Sequence, residues 1–165
     1  MLRIGKLTDY GTLILTRMTG GDCVSATELA EQTRLGPPTA AKILKALARA
    51  GIVRSVRGAH GGYALARPAT DISAAQIIDA LEGPVAITEC ATGAGSCELE
   101  SLCGVGNAWQ HINVAIRQSL DAISLAQLAD WQPGTLPSLN LNAEAPASNG
   151  EASAPSQTHE YTSNA

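Results

Sequence analysis

The sequence predicts a mainly α fold with a small β-hairpin wing: a winged helix-turn-helix followed by a long C-terminal dimerisation helix. Three observations predict it. Two short helical patterns are separated by a turn of about four residues around Arg34-Leu35-Gly36. A strand–turn–strand pattern follows at once, with its turn at Arg57-Gly-Ala-His-Gly-Gly62. Beyond it, Trp109, Ile112, Ile116, Leu120 and Ile123 recur every three or four residues.

Each element has a local cause. In residues 7–19, Leu7, Tyr10, Leu13, Ile14 and Met18 fall at helical spacing, and Gly20-Gly21 predicts the stop. Ser25-Ala-Thr-Glu28 has the pattern of a capping box, opening a helix to about Thr33. Pro37 and Pro38 stand where proline is tolerated, at the start of a second helix that ends at Gly51. Ile52–Val56 and Tyr63–Arg67 read as the strands of the hairpin. Ser73-Ala-Ala-Gln76 is a second capping pattern, with Gly83-Pro84 closing that helix. From about Val105 the long helix begins, wide enough in its apolar stripe to pack on an identical helix. Ser124-Leu-Ala-Gln127 can cap a last short turn. The expected organisation is a DNA-binding domain over 1–83, a cysteine-rich cluster-binding loop over 84–104, a dimerisation helix over 105–131 and a disordered tail over 132–165. That tail is rich in Pro, Ser, Asn, Ala and Gly.

Composition narrows the function. The chain has no Phe, two Trp and three Tyr, so its core must be aliphatic. No apolar run approaches a bilayer span, and the start MLRIGKLTDYG has no secretory pattern, so a cytoplasmic protein with no membrane partner is expected. Net charge is −4, but unevenly placed. Residues 1–67 hold ten of the eleven Lys and Arg against four acids, +6, while the rest holds Arg117 against eleven acids, −10. A basic half on an acidic chain suits a phosphate-binding module. In the second helix of the pair, the groove-facing candidates are Thr39, Ala40, Lys42, Lys45 and Arg49, and at the wing Arg57 and His60. The partner implied is double-stranded DNA. No nucleophile–base pairing and no phosphate loop stands out, so no catalytic residue is assigned.

Cys90-x6-Cys97-x5-Cys103 is the sharpest chemical feature. Thiolates are soft ligands for zinc, cuprous copper or iron–sulfur clusters, and the gaps are wider than the two-residue spacings of structural zinc. Gly93 and Gly95 let the backbone approach bridging sulfides. The same thiols are compatible with a metal-free redox sensor that forms disulfides, and an iron–sulfur carrier is a third reading. Cys23 stands apart; it could supply a fourth ligand, but its lone position reads more simply as a buried small residue.

These segments carry a resemblance. LTDYG, LAEQTRLGPPTAAKILKALARAGIV, SVRGAHGGYALAR and DISAAQIIDALEGPVAITEC, followed by the other two cysteines, resemble the IscR/NsrR-type family of bacterial iron–sulfur regulators over residues 1–130. The pattern is nearest to the subgroup regulating the Suf assembly operon. The resemblance implies a homodimer that binds a [2Fe–2S] or [4Fe–4S] cluster through Cys90, Cys97 and Cys103. The fourth ligand varies in that family. A histidine three residues past the third cysteine is replaced here by Gly106, and His111 falls within the long helix. An aspartate near the start of the first helix, given by the other subunit, corresponds to Asp9. Asp9 is also compatible with a plain interaction with the helix dipole.

Overall fold

A computed structural model describes residues 4–58, 61–86 and 105–131. Six α-helices and one hairpin occur among them: α1 (Lys6–Thr16), α2 (Ala26–Thr33), α3 (Pro37–Arg49), β1 (Val53–Val56), β2 (Gly62–Leu65), α4 (Ala74–Glu82), α5 (Gly106–Asp121) and α6 (Leu125–Ala129), with a 3-10 turn at Ala69–Asp71. The fold is mainly helical with a two-stranded antiparallel sheet, as expected.

Helix α1 stops three residues earlier than its apolar spacing suggests. Arg17 and Met18 donate to Ile14 and Leu15, tightening the chain into a turn, yet Met18 still reaches the core. Its N-terminus is capped from a distance. Gly5 has no side chain to accept the first amides, so Glu82 Oε1 accepts from Gly5 N at 2.7 Å and from Thr8 Oγ1 at 2.5 Å. A carboxylate placed there also faces the positive end of the helix dipole.

Ser25 caps α2 through Glu28 N at 3.1 Å, but the reciprocal half of the box is not made, since the Glu28 carboxylate accepts from Gln32 Nε2 instead. The turn to α3 passes through Arg34 at φ 56°. Pro37 and Pro38 occupy the first two positions of α3. In α3, Ala40, Ile43, Leu44 and Leu47 are all fully buried. Spacing i, i+3, i+4, i+7 places them on one stripe.

The hairpin pairs Val53 with Leu65, Arg54 with Ala64, Ser55 with Tyr63 and Val56 with Gly62. It is tied back to the chain ahead of α2: Val24 N donates to Tyr63 O at 2.9 Å and Tyr63 N to Val24 O at 2.8 Å. The wing glycines have separate reasons. Gly58 sits at φ +126°, and a Cβ on Gly62 would come 2.6 Å from the Val24 carbonyl carbon.

The capping box at Ser73 is complete, with Gln76 as its second half, and so is the one at Ser124 with Gln127. The two caps lie side by side: Ala74 N donates to Ile123 O at 2.8 Å, and Leu125 N to Ile72 O at 2.7 Å. This brings Leu125 into the core with Ile14, Leu15, Leu29, Ile43, Leu44, Leu47, Ile52, Ile72 and Ile77. The expected unit of residues 1–83 therefore completes its core with a residue from beyond the cysteine segment. Each fully buried aliphatic side chain contributes about 1.5–3 kcal/mol by leaving water. Among the described residues, no helix is long and apolar enough to cross a membrane.

Candidate nucleic-acid interface and cysteine segment

Helices α2 and α3 pack together as a helix-turn-helix, and the hairpin stands directly behind α3. The outward side of α3 is decided by its buried stripe. With 40, 43, 44 and 47 inward, Lys42, Lys45 and Arg49 are exposed and fall at i, i+3 and i+7. They form one cationic line along the helix. Arg57 is exposed at the wing. Thr39 is half-buried at the front of α3.

Ala40 is a correction. It is completely buried in the core cluster and cannot reach a base edge. Its place was readable, since Ala40 lies three, four and seven residues before Ile43, Leu44 and Leu47. The exposed small residue at the front of α3 is Ala41, beside Pro38. Two more exposed cations belong to the same motif, Arg34 in the turn and Arg54 on β1. Arg67 is instead a structural residue. Its guanidinium donates to Asp71 O at 3.0 Å, Gly51 O at 3.3 Å and Gln76 Oε1 at 2.8 Å. His60 lies outside the described residues, as do Cys90, Cys97, Cys103 and the tail from 132 onward.

Both chain ends that flank the cysteines are described. Val85 and Ala86 leave α4, and α5 returns to pack on it. Asp79 of α4 holds both: its Oδ1 accepts from Val85 N at 3.2 Å, and its two oxygens accept from Arg117 of α5 at 3.2 and 2.6 Å. The hydrogen bonding to Asp79 holds the Arg117 guanidinium above its ordinary range against desolvation, and the Asp79 and Asp121 charges add to it. The long helix is thus not separated in space from the first 82 residues, although the cysteine loop separates it in sequence.

Asp9 is exposed on α1 and lines an apolar groove with Ile4, Ile78, Leu120 and Ile123. A second groove, lined by Gly83, Pro84, Val85 and Ala86, shares Ile4, Ile78 and Leu120 with it. The groove that Asp9 lines thus adjoins the groove lined by the first residues of the cysteine segment. In chemical type, three thiolates and one carboxylate would make a donor set suited to iron. Among the described residues, no three His, Cys, Asp or Glu side chains come together.

The apolar stripe of α5 divides. Ile116 and Leu120, with Ile123 just past the helix end, are half-buried and line the two grooves, whereas Trp109 and Ile112 are 40% and 44% exposed.

A family model described as Rrf2, iron-dependent transcriptional regulator, matches residues 4–131. The chain belongs to the Rrf2 family of transcriptional regulators. Within it, the chain is 29% identical to the HTH-type transcriptional regulator CymR of Bacillus subtilis over 136 residues, 81% of this chain and 94% of that one. The solved structure of that Rrf2 relative, named as the global cysteine regulator of B. subtilis, superposes with a TM-score of 0.62 at 30% identity, covering 80% of this chain and 99% of the other. A second relative, the HTH-type transcriptional regulator IscR of Cereibacter sphaeroides, is 38% identical over 84 residues, 51% of this chain and 53% of that one. The solved T. potens IscR superposes with a TM-score of 0.55 at 31% identity, covering 77% and 85%. These structural neighbours agree with the winged-helix reading, and the relatives are transcriptional regulators, not enzymes.

Proposed function

We propose that this Rrf2 regulator is a cytoplasmic homodimer that binds operator DNA with an affinity set by an iron–sulfur cluster, and that it controls iron–sulfur assembly (Suf) genes. The observation that carries the DNA reading is the exposed line Lys42, Lys45 and Arg49 on the second helix of a helix-turn-helix. In the major groove these cations meet phosphates and guanine edges, with Thr39 at the helix front. Arg57 and His60 of the wing reach toward the neighbouring minor groove. Trp109 and Ile112 give α5 an apolar face for a second copy, which spaces two recognition helices about one DNA turn apart.

Cys90, Cys97 and Cys103 would hold the cluster, with Asp9 of the partner subunit as the fourth donor. When bound, such a cluster supplies iron that oxidants and nitric oxide attack. The chain's own part is to hold it loosely enough to respond, which an oxygen donor in place of a fourth thiolate favours. The description of the matching family as iron-dependent supports this reading.

A second reading is favoured by the longer match to CymR, which spans 81% of this chain against 51% for IscR. In it, the same thiols answer oxidation by forming disulfides without metal. One experiment separates the two. Anaerobically purified full-length protein, with and without iron and sulfide, is titrated onto its own promoter and a Suf promoter at fixed salt. A cluster sensor shows visible thiolate-to-iron absorption and different affinities for the two forms. Colourless protein whose affinity changes only with disulfide formation establishes the thiol reading instead.

A further inference from the structure

We propose that Asp79 is a junction coupling the cysteine segment to the recognition helix, with Arg117 and Gln76 as its positioning residues. The purpose of this coupling rests on the sensing function proposed above, but the contacts themselves do not.

Asp79 receives both flanks of the segment. Val85 N bonds Oδ1 at 3.2 Å, and the Arg117 fork spans Oδ1 and Oδ2 at 3.2 and 2.6 Å. Arg117 is the single Lys or Arg of residues 68–165, in a stretch with eleven acids. Its two short hydrogen bonds both go to Asp79. Arg117 Nε also lies 3.7 Å from Asp121, whose Oδ1 accepts from Ser73 Oγ, the cap of α4, at 2.9 Å. Two points of α5 are thus pinned along α4.

One turn before Asp79, Gln76 carries the connection onward. Its Oε1 accepts from Arg67 Nη2 at 2.8 Å, and Arg67 Nη1 donates at 3.3 Å to the carbonyl of Gly51, two residues past the end of α3. Ala50, Ile52, Arg67, Gln76 and Asp79 line one groove. The turn after α3, the turn after β2 and both flanks of the cysteine segment are thus bonded to Gln76 and Asp79, one turn apart on a single helix of nine residues. A packed helix moves as a body, so a shift of Val85 or of α5 taken up by Asp79 reaches Gly51 through the hydrogen-bonded side chains of Gln76 and Arg67.

The test uses the full chain and has two arms. In the first, hydrogen exchange is measured on metal-free wild type, D79N, R117Q and R117K, with circular dichroism and Tm to establish folding. D79N keeps an acceptor for Val85 N but loses the ion pair. R117K keeps the charge without the fork and should be intermediate. The coupling predicts exchange faster by roughly five- to tenfold, the low end of ordinary site-to-site coupling, both at 85–86 and in 51–67. Change confined to 85–86 and 105–121, with 51–67 at wild-type rates, overturns it. Should R117Q or D79N fail to fold, R117K carries this comparison. In the second arm, operator affinity is compared for iron-loaded and metal-free protein. In R117Q the ratio should fall toward one while iron content stays at the wild-type level. A ratio as large as that of wild type overturns the proposal. If wild type itself shows equal affinities, the sensing function fails, and the exchange arm alone decides the coupling.

Discussion

Helices α3 and α5 are close in length, 13 and 16 residues, and both carry an apolar stripe, yet they meet opposite fates. Four side chains of α3 are completely buried, and none of α5 is. The first is positioned by its own chain: α1, α2, α4 and the hairpin all pack on it. The second rests on α4 with its C-terminal half and leaves Val105, Trp109, Ile112 and Val114 exposed. A recognition helix must be held rigidly to read a groove. The exposed part of α5 leaves apolar surface available for the subunit contact proposed above. The difference lies in what each stripe has to pack against, and far less in composition.

The largest expected effect falls on α3. Leu44→Ala removes a fully buried side chain and should cost about 2–5 kcal/mol in thermal or denaturant unfolding. Ile112→Ala, on the exposed part of α5, should cost the single chain less than about 0.5 kcal/mol, as for other surface changes. A large loss from Ile112→Ala at concentrations where the protein is monomeric would break the comparison.

Next comes association. Trp109→Ser acts twice across a two-fold seam, so sedimentation should show dimer dissociation constants raised by roughly a hundredfold or more. Helicity should stay near wild type. An unchanged dimer would move the subunit contact off α5.

The exposed line of α3 gives a smaller, graded effect. Lys42→Ala and Lys45→Ala should each weaken operator binding across sequences and lower the slope of log affinity against log salt by about one. Ala40→Ser separates the two faces of the helix: it should alter stability with no change in that slope, because Ala40 is buried.

The smallest effect sharpens the account of the caps. Ser73→Ala breaks a complete capping box and should cost about 1 kcal/mol in unfolding. Ser25→Ala, where only one half of the box exists, should cost no more than that.

Much of the fold was legible in the residues. The turn at Arg34, the prolines at 37 and 38, the hairpin and the caps at Ser25, Ser73 and Ser124 all lie where local chemistry points. Ala40 was legible too, because its spacing to Ile43, Leu44 and Leu47 puts it on the buried stripe. Other features were not legible. Nothing near Met18 says that the helix stops at Thr16 while the side chain still packs. Glu28 had two partners in reach, the cap amide and Gln32, and only the folded chain chose between them. For the site, the cations of α3 were readable, but Asp79 was not, because its partners come from distant stretches of the chain.

By itself, the sequence determined the elements whose causes lie within a few residues: caps three residues apart, a proline at a helix start, a stripe at helical spacing. The tertiary structure alone decided which half of the α5 stripe turns inward, that Glu82 caps α1 from 77 residues away, and that Arg117 finds Asp79 across 38. The physical reason is range. A cap or a periodicity is satisfied inside one helix, whereas a carboxylate has many donors within reach of an unfolded chain, and only packing of the core selects one.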